Sequence, residues 1–165
     1  MRNQKVTYIF ETDWLHIKFF IMKNEPFIIE RTYNAPVEKV WSAISDHEEM
    51  LKWYFNIDKF KPEVGFEFSF EGGDDKQSFL HLCRVTKAEP NKVLAYTWRY
   101  DGYRGNSEVI FELFPEGDKT RLKLTHTGLE TFPQDNPLFR KESFAGGWNE
   151  IIGTLLKTFV EKETD

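Results

Sequence analysis

The sequence has 165 residues and a formal net charge of −5 at pH 7, so it lacks the excess of basic residues typical of nucleic-acid-binding proteins. This length predicts one domain with a substantial core, and an aromatic content of 16% predicts that bulky rings occupy much of that core. Cys83 is the only cysteine and excludes an intrachain disulfide; with a start unlike a secretion signal, it predicts a soluble, cytoplasmic protein.

The first residues of the chain differ from the rest. Two alternations of apolar and polar residues, over residues 6–10 and 15–21, are each compatible with a strand. The apolar part is too short to cross a bilayer and is interrupted by charge, so no membrane insertion is expected. We predict an N-terminal extension over residues 1–22 and a single domain over residues 23–165. The extension is either dispensable or an additional edge strand or dimer arm.

A strand followed by two short helices is predicted next. Residues 27–33 have the character of a strand, and the following residues Asn34 and Pro36 suit the cap and first turn of a helix. Asp46 and Glu49 have the spacing of a capping box, which predicts that a second short helix begins there.

Short alternating segments then continue from Phe66 to Thr127. Phe66, Phe68 and Phe70 alternate with polar residues, so their rings point to one face. Turn signals recur about every 8–12 positions, which indicates antiparallel strands. With the first strand they predict a curved antiparallel sheet of six to seven strands.

The C-terminal stretch from Phe144 to Val160 predicts one long amphipathic helix. Its apolar stripe consists of Phe144, Trp148, Ile151, Ile152, Leu155, Leu156 and Phe159. The opposite side is polar, so we expect the helix to lie on the sheet. The element order of strand, two helices, several strands and a long helix predicts an α+β fold.

Four motifs in this order carry a resemblance to a known family. They are Ala35-Pro36 with Val40-Trp41; Trp53; Ser107-x-Val109-x-x-x-Leu113-x-Pro115 with Thr120-x-Leu122-x-Leu124-x-His126-x-Gly128-Leu129; and Gly147-Trp148. Over about residues 25–162 the chain resembles the activator of heat shock protein 90 ATPase homologue-like family, of the C-terminal-domain type. That family lies within the START-like (birch-allergen) helix-grip superfamily.

The resemblance implies a helix-grip fold with an internal hydrophobic cavity between the C-terminal helix and the sheet. The aromatic residues of the sheet and helix either line this cavity or simply fill the core. The predicted cavity lining is Trp53, Phe66, Phe68, Phe70, Trp98, Phe111, Leu124, His126, Trp148, Ile152 and Leu155.

Polar candidates for chemistry are few. His81 and His126 are either acid–base groups or hydrogen-bonded structural histidines, and Arg84 is either a cavity anchor or a surface residue. No His pair has the spacing of metal ligands and no nucleophile motif is present, so no metal, cofactor or catalytic residue is predicted.

The resemblance therefore predicts a protein that binds a hydrophobic or aromatic small molecule in this cavity. One alternative is a co-chaperone-type module that binds a chaperone. A second alternative is a cyclase-like enzyme that uses the same cavity. The superfamily includes all three kinds of protein, so the fold does not choose between them.

Overall fold

The protein is described by a computed structural model over residues 14–18 and 24–163. Residues 14–18 form a short helical turn, so the strand that the alternation over residues 15–21 allowed is not formed at residues 15–18. A strand needs a neighbour to satisfy its backbone hydrogen bonds, whereas a helical turn satisfies some of them locally. The remainder of the predicted extension, including its boundary at residues 22–23, lies outside the described residues.

The domain is built on one antiparallel sheet with the strand order β1-β6-β5-β4-β3-β2. Its strands are β1 (Phe27–Tyr33), β2 (Glu67–Gly73), β3 (Ser78–Glu89), β4 (Val93–Tyr100), β5 (Ser107–Glu116) and β6 (Lys119–Thr127). Two short helices, α1 (Val37–Ser45) and α2 (His47–Trp53), connect β1 to β2. The predicted α+β helix-grip architecture, with its curved sheet of six strands and long C-terminal helix, is confirmed.

The two helix starts are formed differently. The side chain of Asp46 accepts a hydrogen bond from the backbone N–H of Glu49 at 3.0 Å, so the predicted cap of α2 is confirmed. Asn34 does not cap α1, because Pro36 occupies the cap position. The backbone N–H of Asn34 instead donates to a carboxylate oxygen of Glu161 at 2.9 Å. This bond ties the end of β1 to the end of the chain.

The C-terminal helix consists of α3 (Lys141–Glu150), a π-helical turn (Ile151–Leu155) and α4 (Leu156–Val160). Its buried residues are spaced by four throughout: Phe144, Trp148, Ile152, Leu156 and Val160. In a regular α-helix a step of four advances about 400°, so such residues would drift about 40° per step. The wider π turn, closed by the N–H of Leu156 and the carbonyl of Ile151, corrects this drift.

The π turn also explains where the predicted stripe was wrong. A constant helical period places Leu155 on the buried side, but its side chain is 40% exposed. Ile152, one turn earlier, is fully buried as predicted. None of the helices among residues 14–18 and 24–163 has the length and apolar character needed to cross a membrane.

The hydroxyl of Tyr33 on β1 joins the sheet to the π turn. It donates a buried hydrogen bond of 2.7 Å to the backbone carbonyl of Ile152. The helix is therefore held to the sheet edge at the point where its geometry changes.

We expect Tyr33→Phe to lower the free energy of unfolding by about 1–3 kcal/mol, because it removes the donor of a buried hydrogen bond and preserves the ring. Urea denaturation measures the change. Tyr103→Phe is the matched control, since Tyr103 is 44% exposed and contributes ring contacts; we expect it to stay within about 0.5 kcal/mol of wild type. Equal effects of the two substitutions would contradict the role given to the Tyr33 hydroxyl.

Candidate functional site

A cavity of about 340 Å³ lies between α3 and the inner face of the sheet. Seven aromatic rings line it: Phe55, Phe79, Trp98, Tyr100, Phe139, Phe144 and Trp148. His81 lines it as well, while Asp74, Ser143 and Glu150 supply polar side chains. Strands β2, β3 and β4 form one wall, and α3 with the turn around Phe139 forms the other.

Trp98 on β4 lies at the centre of the aromatic wall. Its ring centroid is 5.5 Å from that of Trp148 on α3 and 4.8 Å from that of His81 on β3. Further along, the rings of Tyr100 and Phe139 are 4.7 Å apart. These separations and tilts are those of attractive ring pairs, so the wall is internally packed around the empty space.

A chain of hydrogen bonds behind this wall connects α3 to three strands. The indole N–H of Trp148 donates to Nδ1 of His126 at 3.0 Å. Because Nδ1 accepts, the ring proton is on Nε2, which donates to the Ser107 hydroxyl at 2.8 Å. The hydroxyl in turn donates to the backbone carbonyl of Trp98 at 2.7 Å. Every polar atom in this series of hydrogen bonds has a partner.

His126 is therefore a neutral, structural histidine in this geometry. Burial lowers its pKa to about 3. Adding a second ring proton would also place two N–H groups face to face between His126 and Trp148. Both nitrogens are occupied, so the ring is not free to exchange a proton with a ligand.

His81 is neutral for a related reason but faces the cavity. Its Nδ1 lies 2.9 Å from the backbone carbonyl of Phe79, which can only accept, so Nδ1 carries the proton. Burial lowers the pKa of His81 to about 4. Nε2 is then the acceptor nitrogen of the ring. The ring itself stacks on Phe70 at a centroid distance of 4.3 Å.

Tyr100 adds a hydroxyl to the cavity wall. The indole N–H of Trp98 donates to this hydroxyl at 2.8 Å. Burial raises the pKa of Tyr100, so the phenol keeps its proton. The cavity thus combines extensive apolar area with a few polar side chains, those of Asp74, His81, Tyr100, Ser143 and Glu150, which is the composition of a small-molecule site.

The structure places the predicted lining residues in three groups. Trp98 and Trp148 line the cavity directly. Phe70, Phe111 and His126 contact one or both of these tryptophans from behind. The others do not line it: Trp53, Phe66, Phe68, Leu124, Ile152 and Leu155.

This third group has other roles. Trp53 donates its indole N–H to the carbonyl of Ala43 at 2.8 Å. Phe66 and Phe68 pack on Phe60, at centroid distances of 6.3 and 5.1 Å. Leu124 and Ile152 are fully buried, and Leu155 is exposed.

Several lining residues were not in the predicted set. Phe79 and His81 alternate with outward residues on β3, and Tyr100 shares a face with Trp98, so alternation contained the signal for these three. Phe55 and Phe139 lie outside strands and regular α-helices. No periodic pattern marks them, and only the packing of separate elements brings them to the cavity.

A larger groove of about 570 Å³ lies on the other face of the sheet. Its lining includes the outward residues Arg84, Thr97 and Arg99, with Asp58 and Glu67 at its side. Arg84 is exposed there, so it is a surface residue and does not anchor a ligand between helix and sheet. The charged walls of this groove differ from the apolar enclosure predicted for the site.

Comparison with known proteins yields a family and a fold. The family model described as Activator of Hsp90 ATPase homolog 1-like protein matches residues 34–161. No curated protein matches the sequence. The matched range includes strands β2 to β6 and the whole C-terminal helix.

Solved structures similar to this chain come from several bacteria. Protein CV1439 from Chromobacterium violaceum is 21% identical with a TM-score of 0.71, covering 84% of this chain and 99% of that chain. Protein MLL2253 from Mesorhizobium loti is 26% identical with a TM-score of 0.66, covering 86% and 100%. CalU16 from Micromonospora echinospora is 28% identical with a TM-score of 0.65, covering 82% and 75%. These similarities support the helix-grip fold.

The two buried histidines predict an acid-sensitive stability. Their native pKa values, about 3 for His126 and about 4 for His81, lie below the ordinary value of 6.5 expected in the unfolded chain. The unfolded state therefore binds more protons between pH 6.5 and about 4, and stability falls as the pH falls through this window. Each histidine contributes a slope of up to about 1.4 kcal/mol per pH unit.

Urea denaturation of wild type and His126→Gln across this pH window measures the effect. The glutamine amide can accept from Trp148 and donate to Ser107 but does not titrate, so we expect a slope shallower by up to about 1.4 kcal/mol per pH unit. Carboxylates titrate equally in both proteins and cancel in the difference. Parallel pH profiles for the two proteins would contradict the assignment of a neutral buried His126.

Proposed function

We propose that this chain, which belongs to the Activator of Hsp90 ATPase homolog 1-like family, binds a small apolar or aromatic molecule in the cavity between its C-terminal helix and its sheet. The observation that carries the proposal is the cavity of about 340 Å³ lined by aromatic rings from both elements. Its volume lies at the lower end of the range for small-molecule sites, about 300–1,000 Å³. A ligand of one to three rings suits this space.

The driving force for binding is removal of apolar ligand surface from water. Burial contributes about 25 cal/mol per Å² of apolar surface before the entropic costs of association. The wall is already packed, with Trp98 and Trp148 held by hydrogen bonds of their indole groups at 2.8 and 3.0 Å. A wall that is ordered before binding lowers the entropic cost.

The polar groups of the cavity favour binding over proton-transfer chemistry. A cyclase-like enzyme requires an acid or base that titrates near neutral pH inside the cavity. The pKa of His81 is lowered to about 4, and Tyr100 keeps its proton because burial raises its pKa. Both groups are suited to orienting a ligand by hydrogen bonds.

The family description names an activator of the Hsp90 ATPase, so a chaperone-binding module is the second candidate function. This function does not require an open cavity. It predicts that a chaperone copurifies with the protein and that blocking the cavity leaves this association unchanged.

A matched pair of glycine substitutions tests the binding proposal. Gly147 lines the cavity and neighbouring Gly146 does not, yet a Cβ atom at either position meets nothing within 4 Å. Gly147→Leu therefore adds a side chain at a position that lines the cavity, without a clash at its Cβ atom, and Gly146→Leu adds the same side chain at a position that does not line it. Both replace a helical glycine, so both are expected to keep or slightly raise helix stability.

The neutral fluorescent probe N-phenyl-1-naphthylamine reports occupancy of the cavity by titration. We expect wild type and Gly146→Leu to bind it similarly and Gly147→Leu to bind it at least about tenfold more weakly, since the leucine occupies the same volume. Far-UV circular dichroism verifies that all three proteins are folded. Equal probe affinity in the two variants, or no binding by wild type, would refute the proposed site.

A further inference from the structure

The charged side chains in the cavity lining are all acidic. Among the described residues that line it, Asp74 and Glu150 are acidic, and none is lysine or arginine. The basic residues at the start of α3 are turned elsewhere: Arg140 donates to the carbonyl of Gln134 at 2.9 Å, and Lys141 donates to the carbonyl of Glu25 at 3.3 Å. A ligand entering the cavity therefore meets carboxylates without basic groups in the lining.

The two carboxylates are held differently. Asp74 Oδ1 accepts from the backbone N–H groups of Lys76 and Gln77, each at 2.8 Å, and these donors hold the pKa of Asp74 below its usual range. The charge of Lys76 lies close enough to Asp74 to offset part of its field. Glu150 is exposed at the end of α3, two residues after the cavity-lining Trp148. Glu150 is thus the stronger source of negative potential for a ligand.

The aromatic walls favour the same sign of ligand charge. The face of an aromatic ring carries negative potential, and tryptophan attracts cations most strongly of the aromatic side chains. Two tryptophans, Trp98 and Trp148, line this cavity. His81 lines the cavity as a neutral imidazole, because burial lowers its pKa to about 4, so it does not repel a cation.

We propose that the cavity selects an organic ammonium ion, an apolar or aromatic amine in its protonated form, over neutral and anionic molecules of the same shape. This inference rests on the proposed function, because it names the ligand class of the same site. An anionic ligand such as a fatty acid would bring its carboxylate to a lining that has two carboxylates and no basic side chain. The amine instead places its charge near Glu150 and its apolar part against the rings.

Three probes with one ring system and different charge test the selection. They are 1-naphthylmethylamine, 1-naphthalenemethanol and 1-naphthoic acid, each used to displace N-phenyl-1-naphthylamine at pH 7. We expect the amine to bind about tenfold more tightly than the alcohol, and the acid to bind most weakly.

Glu150→Gln should weaken amine binding up to about fivefold, as expected for an exposed ion pair, and leave alcohol binding unchanged. Glu142→Gln is the matched control, because Glu142 is exposed on the same helix but does not line the cavity; we expect no change in either affinity. Displacement by the alcohol with equal or weaker displacement by the amine would overturn the inference and leave the proposed function standing. If the reference probe itself fails to bind wild type, both fail together.

Discussion

The hydrogen bond from the indole of Trp148 to the imidazole of His126 is the constraint on which the rest of the structure depends. It is 3.0 Å long and buried, and it fixes the ring tautomer that lets His126 donate to Ser107. The Ser107 hydroxyl in turn donates to the backbone carbonyl of Trp98. Four elements, α3, β6, β5 and β4, thus share one set of mutually satisfied donors and acceptors. Because any unpaired member would be a buried polar group, the helix has one position on the sheet that satisfies all of them.

That fixed position explains why the cavity stays between α3 and strands β2 to β4. Trp148 cannot move further into the sheet without losing its partner, and its ring meets Trp98 at 5.5 Å. Beyond this contact, the glycine at 147 provides no side chain to fill the space. At the other end of the helix, the π turn and the Tyr33 hydroxyl keep the buried residues on one face. The site thus depends on two features of α3: the hydrogen bond that fixes Trp148, and the space left beside it because Gly147 has no side chain.

The cavity combines features that point to binding. Its rings are preorganised by contacts with each other, its histidine is neutral, and its acidic groups lie in the exposed part of the lining. Apolar burial supplies affinity for many flat molecules, whereas the proposed charge selection depends on the carboxylates and on the tryptophans of the lining. The outer groove has charged side chains of both signs, with Arg84 and Arg99 beside Asp58 and Glu67, so the two faces of the sheet present chemically different surfaces.

The sequence by itself determined the fold class, the order of the elements, the cap at Asp46 and the inward direction of Trp98, His126 and Trp148. Each of these follows from local periodicity or local hydrogen bonding, which neighbouring residues decide. Only the tertiary structure decided which inward rings border empty space. Phe55 and Phe139 reach the cavity from outside regular periodic elements, and Leu155 leaves the buried face at the π turn. A cavity is the gap left when separate elements pack, so its lining depends on distances between elements that no local pattern contains.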